Sequence, residues 1–239
     1  MKTRLDQALV EQGLVRSRSQ AASYIKLGDV TVNGKFVTKP GEPVSEHDKL
    51  AVTAQEQYVS RAALKLASVA DEFQLDFSGK VVLDIGSSTG GFTQFVLMHG
   101  AAQVIAVDVG TNQLHPSLRD EPRILLLEQT DFRNLKETPV KPDIVVADVS
   151  FISLKEIIPH AVKLAKPNAQ LVMMVKPQFE AGDSYKHKGV IKNDTIRRAI
   201  LKDFETWVQK LCVIKAKADS GVAGARGNRE RFYLLTPLR

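Results

Sequence analysis

The chain has 239 residues, 44% of them hydrophobic and 25% charged, with a formal net charge of +6, a mean hydropathy of −0.12 and a pI near 9.3. This is enough for a full core in one mid-sized domain and a smaller one beside it; no apolar run approaches the roughly 18 residues of a membrane-spanning helix, and MKTRLDQALVEQG lacks a signal-peptide core, so nothing directs the chain to a membrane or out of the cytoplasm. The single cysteine, Cys212, sits in the apolar run LCVIKAKA, which excludes a disulfide framework and a cysteine-rich metal site, and no metal is expected; the basic balance fits an anionic partner such as nucleic acid.

Residues 1–54 read as a small α+β module. TRLDQALVEQGLV places Leu5, Ala8, Leu9 and Gln12 at helical spacing before Gly13, with Lys2 and Arg4 at the start of that helix. SRSQAASYIKLGDV repeats the plan, with Ser17 or Ser19 as N-cap and Gly28 as the stop. VTVNGKFVT then puts Asn33-Gly34 between alternating apolar residues, a strong hairpin signal. Arg16, Arg18 and Lys26 cluster on the second helix and its entry.

The stretch from Arg4 to Val44 resembles the RNA-binding domain first known from ribosomal small-subunit protein four. The resemblance implies that Arg4, Arg16, Arg18, Gln20 and Lys26 meet RNA, mainly through phosphates, contacts that position the protein without reading sequence.

A linker at residues 55–59 leads to a second part, residues 60–239. YVSRAALKLASVADEF has helical spacing, and KVVLDIGSSTGGFTQFVLMHG reads as strand, glycine-rich turn and helix. Apolar runs follow at AQVIAVDVG, RILLLEQTD, DIVVADVSF, AQLVMMVKP, LCVIKAKA and RFYLLTPL, most of them separated by helix-like stretches. The alternation predicts a doubly wound α/β sheet, parallel through its first five strands, with a ligand at the strand carboxyl ends. The last two strands are joined by DSGVAGARGNR, too glycine-rich for a crossover helix, so the last strand should be antiparallel.

In the turn DIGSSTGG, Gly86 permits a tight bend, and Gly90 and Gly91 allow close backbone approach where the next helix begins. Asp108 ends the next strand roughly 20 residues later, the offset at which an acid meets a ribose hydroxyl. Ser88 stands where a dinucleotide fingerprint has its second glycine, and Asp84 precedes the turn; a carboxylate there repels a pyrophosphate and attracts a cation such as S-adenosylmethionine. Pro177 stops the strand at Lys176, leaving that lysine at a strand tip beside Asp148, which closes DIVVADVS. The antiparallel return brings Glu230 to the same rim, and Lys65 can reach it from the flanking helix.

From Tyr58 onward the chain resembles the FtsJ-type ribose methyltransferases, and the whole of it resembles the hemolysin A-type (TlyA) ribosomal RNA methyltransferases. YVSRAALKL, DIGSSTGGFT, VVADVSFISL, MVKPQFEAG and GNRERFYL carry the likeness. It implies a Rossmann-like methyltransferase sheet and a Lys-Asp-Lys-Glu tetrad at Lys65, Asp148, Lys176 and Glu230, with Lys176 acting on a ribose 2′-hydroxyl either as a neutral amine base or as a charged donor. It further implies S-adenosylmethionine held by Asp84, Gly86, Ser88, Gly90, Gly91 and Phe92, with Asp108 on its ribose and Asp131 near its adenine. The implied substrate is cytidine in ribosomal RNA or ribosomal subunits. The short extensions before Arg4 and after Glu230 resemble the shorter form acting on the large subunit, the form with extra terminal segments acting on both subunits being the alternative, and a monomer is favoured. The rival readings are an RNA-binding protein with an inactive methyltransferase fold and a membrane-lytic hemolysin, against which stand the intact tetrad and the absence of a lytic segment.

Overall fold

The computed structural model describes residues 2–15, 17–53, 58–181, 190–191, 193–224 and 227–238. Arg16 and most of the expected linker lie outside the described residues. The N-terminal elements are β1 (Lys2–Arg4), α1 (Leu5–Glu11), α2 (Arg18–Leu27), β2 (Val30–Val32), β3 (Lys35–Phe36), β4 (Pro43–Ser45) and β5 (Leu50–Val52). Ser17 caps α2 by accepting from Gln20 N at 3.2 Å, and Gly28 ends it in the left-handed conformation. Asn33 and Gly34 both have positive φ, 52° and 78°, as a two-residue turn between β2 and β3 requires.

One expectation fails here. Lys2 and Arg4 do not begin the first helix but form β1, antiparallel to β4. Arg4 is extended, and the helix opens at Leu5, whose N–H is held by Glu42 O at 2.8 Å. Pairing with a segment about 40 residues away satisfies backbone groups that a helix N-terminus would leave unpaired.

The remaining elements are α3 (Arg61–Ala70), β6 (Val81–Ile85), α4 (Gly91–Met98), β7 (Gln103–Val107), α5 (Pro116–Arg119), β8 (Ile124–Leu127), a 3₁₀ turn Phe132–Asn134, β9 (Ile144–Ala147), α6 (Leu154–Leu164), β10 (Gln170–Val175), α7 (Pro177–Glu180), α8 (Asp194–Val208), β11 (Cys212–Asp219) and β12 (Arg231–Pro237). Seven strands form one sheet in the order β11-β12-β10-β9-β6-β7-β8. β6 to β10 run parallel, and β12 is antiparallel to both β10 and β11, as expected for the last strand.

The pleat divides the strand side chains between two cores. Val82, Val104 and Val146 join Phe92, Phe95 and Leu66 on the face covered by α3 and α4. Leu83, Ile105 and Val145 join Ile158, Leu201 and Phe204 on the face covered by α6 and α8. Residues of the N-terminal elements, among them Leu5, Leu9, Tyr24 and Ile25, belong to the first of these clusters, so the small module packs against α3 and α4. Among the described residues no helix is long and apolar enough to cross a membrane.

Candidate active site

Strand order reverses at β6, the first strand of the sheet, whose neighbours are β7 and β9. In sheets of this kind that reversal opens a crevice at the strand carboxyl ends. The turn after β6 is shaped for it. Gly86 has φ +80°, and a Cβ there would lie 3.0 Å from Asp148 O, so only glycine lets the β9 end come this close. Ser88 takes φ +46° and donates its N–H to Asp108 Oδ2 at 2.8 Å, while Asp108 Oδ1 accepts from Gly110 N. Gly91 has a different reason from the expected one of ligand approach: a Cβ on it would meet Ser60 Oγ at 2.2 Å and Ala63 N at 2.9 Å, so it lets α3 pack on α4. At Gly90 (φ +88°) a Cβ would meet Leu114 and Leu118 rather than open space.

Two cavities lie on this rim and share Gly86, Ser88, Asp148 and Ser150 in their walls. The larger, about 500 Å³, reaches across Asp108, Val109, Asp131, Phe132 and Phe151. That volume is in the range of about 300–1,000 Å³ that small ligands occupy. The smaller, about 170 Å³, runs past Asp84, Ser87, Phe92 and Lys176. Phe92 is buried in its wall, 6.1 Å from the ring of Phe232. Asp84 is fully buried; its Oδ2 accepts from Thr93 Oγ1 at 2.6 Å, and its Oδ1 has no partner. Burial, with Asp148 and Asp108 adding to it, pushes this carboxyl up to about 7. Ser87 Oγ is likewise buried without a partner. An unpaired buried carboxylate oxygen calls for a donor, and beside two further aspartates a cationic one fits best. Asp131 faces the larger cavity, but Arg133 grips its carboxylate, with Nη2–Oδ2 at 2.6 Å, and holds it below the usual carboxylate range.

The four charged strand-end residues come together. Lys65 Nζ lies 2.6 Å from Glu230 Oε2 and 4.0 Å from Asp148 Oδ2. Lys176 Nζ lies 2.5 Å from Asp148 Oδ1 and donates to Ser150 Oγ at 2.7 Å. The order is therefore Glu230–Lys65–Asp148–Lys176, a mostly buried row of alternating charge whose Asp148–Lys176 end lines the smaller cavity. Each member is placed by a different element: Lys65 by α3, Asp148 by the end of β9, Lys176 by the end of β10, and Glu230 by the start of β12. Glu230 is fixed from behind, because Ser220 N donates to its carbonyl and the buried Arg197 donates to Arg229 O at 3.0 Å and to Asp219 at 2.6 Å.

In the N-terminal module Arg4, Arg18 and Lys26 are exposed. The two arginines converge on the buried Asp6, at 3.0 and 3.2 Å. Gln20 does not share their face. It is buried and donates its amide to Tyr58 O at 3.2 Å, because docking against the α3 side claims that side of α2. Sequence reasoning missed Ser87, Thr93, Ser150, Arg133 and Arg197. Ser87 and Thr93 stand inside the glycine-turn motif and Ser150 inside VVADVSFISL, whereas Arg133 and Arg197 carry no local signal.

Comparison with known proteins adds family to geometry. The FtsJ-like methyltransferase family matches residues 58–236 and the S4 domain family residues 3–50. A Mycobacterium tuberculosis protein named 16S/23S rRNA (cytidine-2′-O)-methyltransferase TlyA is 43% identical over 83% of this chain and 75% of its own length. A Campylobacter jejuni protein named 23S rRNA (cytidine-2′-O)-methyltransferase TlyA is 38% identical over 94% of this chain and 96% of its own. A solved Streptococcus thermophilus structure, titled as a hemolysin, superposes with a TM-score of 0.73 at 37% identity, over 99% of this chain and 88% of that one.

Proposed function

Since the chain belongs to the FtsJ-like methyltransferase family and carries an S4 domain ahead of its catalytic sheet, we propose that it is an S-adenosylmethionine-dependent enzyme methylating the 2′-hydroxyl of cytidine in ribosomal RNA. The observation that carries this reading is the Glu230–Lys65–Asp148–Lys176 row beside the Gly86 turn. Relatives named as rRNA cytidine-2′-O-methyltransferases support the substrate class. Large-subunit RNA is the expected target, a reading supported by the Campylobacter jejuni relative matched along nearly all of its length, and a cytoplasmic location goes with ribosomal RNA as the proposed substrate. Residues 1–54 are read as the RNA-binding unit and 60–239 as the catalytic one.

The residues present suit the methyl donor. Asp84 Oδ1 and Ser87 Oγ offer unpaired polar atoms for its ammonium, Asp108 for its ribose, and Asp131 for the adenine end of the larger cavity. Gly86, Ser88, Gly90, Gly91 and Phe92 shape the turn and the wall around it. When bound, S-adenosylmethionine supplies an electrophilic methyl on a sulfonium.

The protein's task is then to make a weakly acidic sugar hydroxyl nucleophilic and to hold it in line. Lys176 Nζ is assigned the contact with that hydroxyl. Asp148, 2.5 Å away, stabilises positive charge on Nζ, whether the amine starts neutral and takes the hydroxyl's proton or is already charged and holds the oxygen while that proton leaves to solvent. Lys65 bridges Asp148 and Glu230, so neither carboxylate is buried without a counter-charge. Arg4, Arg18 and Lys26 hold the RNA backbone.

The test is transfer of tritiated methyl from labelled cofactor to ribosomal RNA, with 2′-O-methyl positions then mapped. The native chain should label a cytidine ribose, and Lys176→Ala should lose nearly all labelling, leaving only a slow residual rate, while cofactor affinity stays within a fewfold. Undiminished turnover in Lys176→Ala would remove that lysine from the mechanism.

A further inference from the structure

Lys176 has a second neighbour that the charged row does not explain. Its Nζ pairs with Asp148 Oδ1 at 2.5 Å and also donates to Ser150 Oγ at 2.7 Å. A lysine nitrogen has four tetrahedral directions, one of them occupied by Cε. A single acceptor leaves the amine loosely oriented about the Cε–Nζ bond. The Asp148 contact is an ion pair outside hydrogen-bond geometry, for Asp148 Oδ1 has no hydrogen-bond partner, so the directional bond to Ser150 Oγ and the pull of that carboxylate together hold the rotation. A direction left free carries an N–H when the group is charged and a lone pair when it is neutral, so the same two contacts aim it in either state.

We propose that Ser150 is a positioning residue which, with the Asp148 carboxylate as charge anchor, fixes the rotation of the Lys176 amine and aims it into the cleft; this rests on the reading of the row as catalytic. Ser150 is placed for the role, since it lines both rim cavities alongside Asp148. The backbone after it is held in a costly shape. Phe151 has φ +67° although the residue is 92% exposed, so burial does not explain the left-handed conformation. The segment carrying Ser150 is also tied to the segment carrying Lys176 at two points. The rings of Phe151 and Phe179 lie 5.2 Å apart, and the buried Glu180 accepts from Ser153 Oγ at 2.5 Å and Leu154 N at 2.7 Å. The relative placement of hydroxyl and amine is thus built into the two strand-end segments.

The experiment compares the full chain with Ser150→Ala, Ser150→Thr, Lys176→Ala and the Ser150→Ala/Lys176→Ala double variant in single-turnover methyl transfer to ribosomal RNA. Losing a hydrogen bond to a charged group corresponds to roughly 10- to 150-fold in rate. Ser150→Ala should slow the methyl step by that factor with cofactor and RNA affinities within about twofold, and Ser150→Thr should restore most of the rate. In the Lys176→Ala background, removing the hydroxyl should change the residual rate less than about twofold, because a residue acting through Lys176 has nothing left to position. A wild-type rate in Ser150→Ala, or an equal loss in both backgrounds, overturns the proposal. A second readout needs no RNA: in NMR spectra of side-chain-nitrogen-labelled lysine, the Lys176 signal, identified by its absence in Lys176→Ala, should broaden or shift in Ser150→Ala. An unchanged signal overturns the contact. A responding signal in a protein that fails to label ribosomal RNA would instead sink the functional reading and leave the contact standing.

Discussion

Asp84 shows how one side chain can trade stability for binding. Its carboxyl is fully buried, with Thr93 satisfying one oxygen and the other facing the smaller cavity unpaired. Burial raises it to about 7, whereas an aspartate in the unfolded chain titrates near 4. Between those values the folded state holds a proton that the unfolded state has released. The group's contribution to stability is therefore full below about pH 4 and is lost as pH rises through about 7. A cationic ligand reverses the preference, because it needs the ionised form. Cofactor affinity should weaken by up to about tenfold per pH unit below pH 7 and level off just above it, as followed by titration calorimetry between about pH 5.5 and 7.5. Asp84→Asn should bind the cofactor weakly at every pH and unfold no more readily than the native chain at pH 8. A native affinity that is flat across the range, or a variant that keeps the slope, would show that Asp84 does not meet the ligand's charge.

At the scale of elements, the site depends on how closely α3 lies on α4. Gly91 sets that distance: an added Cβ would stand 2.2 Å from Ser60 Oγ, 2.8 Å from Ala62 Cβ and 2.9 Å from Ala63 N. One of those atoms is backbone, so rotamer changes cannot absorb the clash and the helices must part. Gly91→Ala should cost about 1–3 kcal/mol, the usual range for overpacking, read as a lower urea midpoint. It should also slow methyl transfer, since α3 carries Lys65 to within 2.6 Å of Glu230. An unchanged midpoint would mean that this interface yields more easily than its contacts indicate. The same elements mark what a sequence can reveal. Strand-ending signals were legible because proline, glycine and charge interrupt apolar runs at Lys176, Gly86 and Asp148, and a parallel sheet puts all such ends on one rim. The Asn33-Gly34 turn was legible because few residue pairs accept two positive φ values in succession. β1 was not, because three residues show no period and their partner, Pro43–Ser45, is distant in the chain. Gln20 was misplaced for a related reason: its neighbours are charged, and only docking against Tyr58 turns that side of α2 inward. Ser150 lies inside VVADVSFISL, but its role was not legible, since it rests on a contact with a residue 26 positions away.

Across the whole molecule, the small module and the catalytic sheet belong to one packed body. A single apolar cluster runs from Leu9 and Tyr24 through Tyr58 to Phe95, and Gln20 adds a polar tie across the same junction. On the proposed function, RNA held on the small module would be presented to the rim by this shared packing. Arg4 and Arg18 stand at that end, each more than half exposed and both drawn toward the buried Asp6. Two guanidinium groups sharing one carboxylate keep a net positive charge and a defined spacing, which suits a phosphate better than a base edge. Such pairings release counterions, so their number can be read from salt dependence. Arg4→Ala/Arg18→Ala should weaken RNA binding and flatten the slope of log affinity against log salt by roughly 0.7 to 0.9 for every phosphate no longer neutralised, about 1.4 to 1.8 if each arginine meets one phosphate. Cofactor affinity should not change, because neither side chain lines the rim cavities. Filter binding of ribosomal RNA fragments between about 50 and 200 mM salt would measure the slope. Equal slopes for the two proteins would move the RNA-binding surface away from this pair of arginines.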